Sequence, residues 1–377
     1  MRLSRQYSRV IDQGPRSGDQ ANVPGPPYAN GWFALAFADE LKPGTVLTRR
    51  FMGDDVVLYR LRGGGVRATR PYCPHLGAHL GVATVHGDEL VCPFHNFAFG
   101  PDGTCVRNGY NTQPPKASLD QLPVLEVNDV VFAWRHHDGR APDWEIPVWQ
   151  TVGNLPMRHI TWEMGGNAQD VMENSVDIGH FGTLHGWLRA QLGGPVTYQG
   201  NTFHVSMLVR ECAPVVGEFD VTVDVDGYGL SCLNVDIFAP RFGLHMYTQV
   251  MPTAITPNRM QLRQGNRIAL DEPGWLPPPL APTLTRLATR LLQRPLFRSS
   301  CDFTAADFPI WGNKTYLPHP RLCQGDGPIG QFRRWARQFH DPAEEDGRGG
   351  EKQLGGAIDV VESLDRPAPE RVHSSGG

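Results

Sequence analysis

At 377 residues, with 40% hydrophobic and 20% charged residues and a formal net charge of −4, the chain has the composition of a soluble globular protein with room for two domains. The weak negative charge excludes the basic excess of a nucleic-acid binder, and no run of about 18 apolar residues is present to span a membrane. The seven cysteines (73, 92, 105, 212, 232, 301 and 323) are odd in number and scattered, which argues against a disulfide framework and agrees with a reducing, cytoplasmic compartment.

The opening stretch "MRLSRQYSRVIDQGPRSGDQANVPGPPYAN" is polar and rich in Gly and Pro and lacks the apolar core of a signal peptide. Residues 1–30 are therefore expected to form a flexible arm. From 31 to about 150, short runs such as "DVVLYRL", "ELVCPF", "LPVLEV" and "VVFAW", separated by Gly and Asp turns, predict a small antiparallel β domain that ends in the connector "HHDGRAPDWEIP". Residues 151–341 open with a second β-rich region through "TFHVSMLVREC", "EFDVTVDVDG", "LSCLNVDIF" and "GLHMYTQVM", interrupted by a non-strand segment at 167–193. After the loop "EPGWLPPPLAP", Leu284, Leu287, Ala288, Leu291 and Leu292 fall at the spacing of one helix face. A second helical pattern, "IGQFRRWARQFH", carries basic residues expected on a solvated face. Residues 342–377 are polar and Gly-rich and are expected to be disordered.

The β domain holds "YCPHLGAHLGVATVHGDELVCPFHNF", in which Cys73-Pro-His75 and Cys92-Pro-Phe-His95 each pair one thiolate with one imidazole. Zinc fingers ordinarily place two cysteines in one knuckle and two histidines in a helix. Mixing the two within each loop is the order of a Rieske [2Fe-2S] cluster, where two cysteines hold one iron and two histidines the other. A mixed zinc knuckle is the alternative. Gly77, Gly81, Gly100 and Gly103 permit tight turns, His79 and His86 are expected in turns or on the surface, and Cys105 is expected to be a packed thiol.

In the non-strand segment, "MENSVDIGHFGTLHGW" places His180 and His185 five residues apart, about 140° on a regular helix. Both can meet one metal only if the helix is distorted or ends near Gly182. Asp177 precedes His180 by three and shares its face. Two histidines and a carboxylate form the facial triad of non-heme Fe(II) oxygenases, and the carboxylate candidates downstream are Asp302, Asp307 and Asp326.

Together the two clusters resemble the catalytic, terminal oxygenase subunit of the Rieske non-heme iron oxygenases. "ENSVDIGHFGTLH" is similar to that family's E/N-x3-D-x2-H-x4-H helix, and "DFPIWGNKTYLPHPRLCQGDGPIGQFRRW" resembles the steroid branch of 3-ketosteroid 9α-hydroxylases and cholesterol 7-desaturases. The resemblance implies an α+β chain: an all-β Rieske [2Fe-2S] domain over 31–150, then a helix-grip catalytic domain with an antiparallel sheet and a mononuclear iron over 151–341. It makes Asp307 the iron carboxylate beside His180 and His185, leaves Asp302 and Asp326 as a cap and a turn residue, and makes Asp177 a bridge to the cluster histidine of a neighbouring subunit in a homotrimer. Gly179, where many relatives have alanine, and Asn96-Phe97, in place of Gly-Trp, depart from the family pattern.

"RGGGVR" lacks the G-x-G-x-x-G order, so NAD(P)H is expected to act indirectly, through a ferredoxin and/or flavin reductase. The implied reaction uses O2 to hydroxylate or desaturate a hydrophobic, multi-ring, steroid-like substrate. Alternatives are an oxygenase of secondary metabolism (amine or pyrrole oxidation, or oxidative cyclisation), an arene dihydroxylating dioxygenase, and a Rieske electron-transfer protein.

Overall fold

The computed structural model describes residues 8–10, 28–153, 155–213 and 216–340; the rest of the N-terminal arm and the tail expected at 342–377 lie outside these residues. Short alternating strands build the N-terminal part. Asp54–Arg60 buries Val56, Val57, Leu58 and Tyr59 in a four-stranded sheet with Val46–Phe51, Val66–Thr69 and Gln121–Leu122. Gly31–Phe37 pairs with Val130–Arg135, which turns back onto Val124–Val127 through Asn128 and Asp129, both at positive φ as a two-residue hairpin requires. A third sheet, of Thr84–His86, Glu89–Val91, Ala98–Phe99 and Cys105–Arg107, carries the two Cys/His loops.

The C-terminal part is organised by a larger sheet, nine-stranded among the described residues. Its centre is a meander of long antiparallel strands, Thr202–Ala213, Gly217–Tyr228, Cys232–Ala239, Leu244–Thr256 and Arg259–Leu270. Alternation gives these strands two different faces: Val221, Val223 and Val225 point to a cavity, while Asp224 and Asp226 point the other way. Arg158–Gly165 closes one side, and Ser8–Val10 pairs with it in parallel, so three residues of the expected flexible arm form an edge strand.

Five α-helices are seen among the described residues: α1 (Ala168–Glu173), α2 (Gly179–Leu184), α3 (Ala281–Ala305), α4 (Phe308–Asn313) and α5 (Ile329–Ala336). α3 packs on Arg259–Leu270, where Gln264 Nε2 donates to Ser300 Oγ at 2.8 Å. The face marked by the leucine spacing turns outward: Leu284, Leu287 and Leu291 are exposed, whereas Thr289 and Gln293 are buried. α5 and the turn after it keep Arg334 and Arg337 on the expected solvated face, but Arg333 turns inward to clamp the buried Glu173 with two bonds of 2.6 and 2.8 Å. Lys314 joins them through Asp170 at 2.8 Å, so α1 is braced from below by two cations.

Gly31–Phe37 lies on the sheet face opposite the cavity. Thr253 Oγ1 donates to the Ala34 carbonyl at 2.8 Å, and the fully buried Arg263 guanidinium donates to the carbonyls of Ala34 (2.9 Å) and Leu35 (2.6 Å). No carboxylate faces it at hydrogen-bonding distance among the described residues, and burial lowers its pKa to about 9. Arg263→Ala strips buried carbonyls of their donor and should lower the unfolding free energy by about 3 kcal/mol. Equilibrium denaturation measures it; a loss under about 1 kcal/mol would show that other groups hold the strand in place.

Candidate metal centres

The two Cys/His loops share one backbone design. In the first, Gly77 N–H returns to the Cys73 carbonyl (2.9 Å); in the second, Asn96 N–H returns to the Cys92 carbonyl (3.0 Å). Gly77 and Asn96 are the left-handed residues that make these returns, at φ +73° and +53°. Asparagine tolerates that region better than other side chains, which explains how it replaces the family's glycine. The thiols of Cys73 and Cys92 are buried against one another, and burial raises Cys73 to about 11, so a bound iron would be needed to hold it as thiolate. His75 and His95 are half-buried above them with ring centroids 4.7 Å apart, and Phe97 stacks on His75 at 4.1 Å. His95 Nδ1 is buried without a hydrogen-bond partner.

The neighbours fall where expected. His79 Nδ1 accepts from Gly81 N–H and its other nitrogen meets Asp55 at 3.2 Å. Cys105 is a packed thiol that donates to the Arg107 carbonyl.

The second set closes more tightly. α2 ends at Leu184, but His185 still has right-handed helical backbone with its N–H on the Phe181 carbonyl (3.2 Å), and the chain turns away only at Gly186 (φ +72°); the His180 and His185 ring centroids are 5.2 Å apart. The helix therefore runs past Gly182, where an ending was expected, and the two rings come together without it. His180 Nδ1 donates to the Asp177 carbonyl at 2.5 Å; a carbonyl only accepts, so Nδ1 carries the proton and Nε2 keeps its lone pair. His185 is stacked on Phe303 at 3.8 Å, with both ring nitrogens buried and neither in a well-formed hydrogen bond. Asp307 Oδ2 approaches its Nε2 to 3.3 Å, while Oδ1 accepts from Asn174 Nδ2 at 3.0 Å. One donor atom from each of His180, His185 and Asp307 lies within 4.8 Å of the others. The four Cys and His donors of the first set do not converge on one point in this way. A buried imidazole without a well-formed hydrogen bond is costly unless something binds it, which makes the second set a candidate site for a single ion.

The remaining carboxylates separate cleanly. Asp302 sits inside α3 with its side chain exposed, so it is not the helix cap expected of it. Asp326 is a turn residue whose Oδ2 accepts from Cys323 N–H at 2.6 Å. The Asp177 carboxylate, 30% exposed, is 3.7 Å from His180 Nδ1, so its backbone oxygen and not its side chain orients that ring. Gly179 has a local reason: a Cβ there would lie 3.1 Å from the Gly325 carbonyl. Gly327, at φ +81°, would put a Cβ 2.1 Å from the Val176 carbonyl, so the "GDGPIG" loop must stay glycine to seat the 176–179 backbone.

A cavity of about 400 Å³ includes all three donors of the second set in its lining, between the valine face of the sheet and the inner face of α3. Its other carboxylate, Glu211, gave no sequence motif. Its signal was register, since Val205, Met207 and Val209 face inward and Glu211 continues that alternation. Burial raises its pKa, with a hydrogen bond from Trp187 working against the shift. The unfolded chain therefore releases the proton first, and Glu211 costs stability as pH rises from the ordinary glutamate range of about 4.3 toward the raised value. Glu211→Gln should raise Tm at pH 8 and have no effect near pH 4; thermal scans that show equal gains at both would reject this account.

Two family models match the chain: the Rieske [2Fe-2S] domain over residues 31–125 and the 3-Ketosteroid 9alpha-hydroxylase C-terminal domain over 133–340. The chain belongs to the Rieske non-heme iron oxygenases of the 3-ketosteroid 9α-hydroxylase family. A cholesterol 7-desaturase of Bombyx mori is 30% identical, covering 84% of this chain and 70% of the relative. A probable 3-ketosteroid-9-alpha-monooxygenase oxygenase component of Rhodococcus rhodochrous is 27% identical over 84% of this chain and 81% of its own. In fold, the chain is similar to dicamba monooxygenase (TM-score 0.59, 18% identity, covering 86% of this chain and 100% of that one). As a Rieske oxygenase it uses a [2Fe-2S] cluster and a mononuclear iron, and depends on a separate reductase or ferredoxin for electrons. Among the described residues no helix of this oxygenase is long and apolar enough to cross a membrane.

Proposed function

We propose that Cys73, His75, Cys92 and His95 hold the [2Fe-2S] cluster and that His180, His185 and Asp307 hold the mononuclear iron of a steroid-directed oxygenase, divided into a cluster domain to about residue 150 and a catalytic domain to 341. When bound, the two centres supply one-electron transfer and dioxygen activation. The protein's part is positioning: the Asp177 carbonyl fixes the His180 tautomer, Phe303 fixes the His185 ring and Asn174 fixes the Asp307 carboxylate. The observation that carries the reading is the cavity. Its volume of about 400 Å³ falls within the roughly 300–1,000 Å³ of small-molecule sites, and its valine, leucine and phenylalanine walls suit a multi-ring hydrocarbon held near the iron with water excluded.

Several observations support a homotrimer in which the cluster of one subunit serves the iron of the next. Among the described residues, no hydrogen bond, ion pair or ring contact joins residues 72–97 to residues 174–187 of the same chain. Tyr72, Leu76 and Phe94 surround the half-buried cluster histidines with exposed apolar surface suited to a partner. The absence of disulfides supports a cytoplasmic location.

Turnover tests with sterols, 3-ketosteroids, small arenes and aminoarenes, using a surrogate reductase, should give a hydroxylated or desaturated steroid with coupled oxygen uptake. Conversion of a small arene to a cis-diol, with no steroid bound, would reject the substrate class and leave the metal assignment standing.

A further inference from the structure

We propose that the outer face of α3 docks the enzyme on an anionic lipid bilayer, so that a lipophilic substrate enters the cavity behind the helix from the membrane surface; the delivery half of this proposal rests on the hydrophobic substrate class proposed above. The two sides of α3 have different tasks. Its inner side gives Leu296, Ser300 and Phe303 to the cavity lining. Its outer side leaves Leu284, Leu287 and Leu291 in solvent, at 44, 52 and 68% exposure, and Trp275 just ahead of the helix is 81% exposed. Isolated exposed leucines need no explanation, but a row of them on one helix, with an exposed tryptophan in the loop leading into it, is apolar surface in want of cover.

Charge identifies the cover. Arg286, Arg290, Arg294 and Arg298 step along the same helix at four-residue intervals, all exposed, and none makes an ion pair or side-chain hydrogen bond among the described residues. From residue 273 to 301 there is no Asp or Glu, although the whole chain carries net negative charge. A basic amphipathic helix with leucines on one stripe and arginines beside it lies in a membrane interface, its apolar stripe among acyl chains and its guanidinium groups among phosphates. Tryptophan in the loop that leads into such a helix belongs at headgroup depth. A second copy of the chain would have to bring acidic groups to these arginines, while a lipid surface supplies anionic charge along the whole helix.

The test uses the full-length, metal-loaded protein and needs no substrate. Co-sedimentation with phosphatidylcholine vesicles and with vesicles containing phosphatidylglycerol should show binding to the anionic vesicles, weakening as salt is raised. Binding should fall at least about tenfold in R286E/R290E/R294E and be retained in R286K/R290K/R294K, since charge near the surface drives it. L284S/L287S/L291S should also lose binding while keeping the charge. Wild-type protein that ignores anionic vesicles at low salt would overturn the proposal. So would glutamate variants that break the oligomer, measured by light scattering, without changing vesicle binding; that result would make the face a contact between copies. Because no substrate is present, these outcomes are independent of the steroid assignment.

Discussion

Asp307→Ala should abolish turnover, lowering it by more than about a hundredfold, while leaving the cluster's absorption and EPR signals unchanged. Losing an outer partner of a metal ligand already costs roughly 10–100-fold, and here the proposed ligand itself is removed. Asp307 stands at the mouth of α4, where it leaves its own helix uncapped and turns its carboxylate to His185 and Asn174. Iron content should fall from about three atoms per chain to about two, because the Cys/His loops lie in another sheet and make no contact with this carboxylate. Asp302→Ala is the control, since that side chain points to solvent from inside α3. Should Asp302→Ala lose iron and activity while Asp307→Ala keeps both, the assignment of the third ligand fails.

Asp177→Asn should separate electron delivery from metal binding. The group that orients His180 is the backbone carbonyl of residue 177, and that survives the substitution. What disappears is a partly exposed carboxylate just ahead of α2, the group proposed to meet the partner subunit's His95. Both metal contents should stay near wild type, and single-turnover electron transfer should slow by about 10–100-fold. An unchanged rate would make Asp177 a residue of local structure only. A loss of iron would show that its side chain, and not only its carbonyl, holds His180.

Much of the proposed site was legible in the sequence because candidate ligands held by short loops keep their spacing. Cys73 to His75 and Cys92 to His95 announce a mixed site by order alone, whereas the break near Gly182 expected from the five-residue step between His180 and His185 is not there, helical backbone running on through His185. Asp307 was different. Nothing local separates it from Asp302, and only resemblance to a family chose between them before the fold brought one to His185 and left the other in solvent. Asn174 and Phe303 had no signal of their own, since their roles arise from elements far apart in the chain. The leucine spacing of α3 located a helix correctly, but periodicity reports that a face is apolar and not what it meets. Burial of Thr289 and Gln293 in place of Leu287 and Leu291 is decided by tertiary packing, here by Gln293 Nε2 donating to the Pro156 carbonyl.

The strand Gly31–Phe37 has a consequence for taking the protein apart. Two sequence modules meet between residues 125 and 133, yet Trp32, Phe132 and Trp134 from the first side of that junction and its edge share one core with Cys232 and Met251 from deep in the second. Cutting there would expose that apolar surface, together with the Arg263 guanidinium and the carbonyls it now serves. The modules are therefore units of descent but not of folding. Calorimetry of the whole chain should show a single cooperative transition, and a chimaera that imports another oxygenase's cluster module must import matching contacts for residues 31–37 or lose the catalytic half as well.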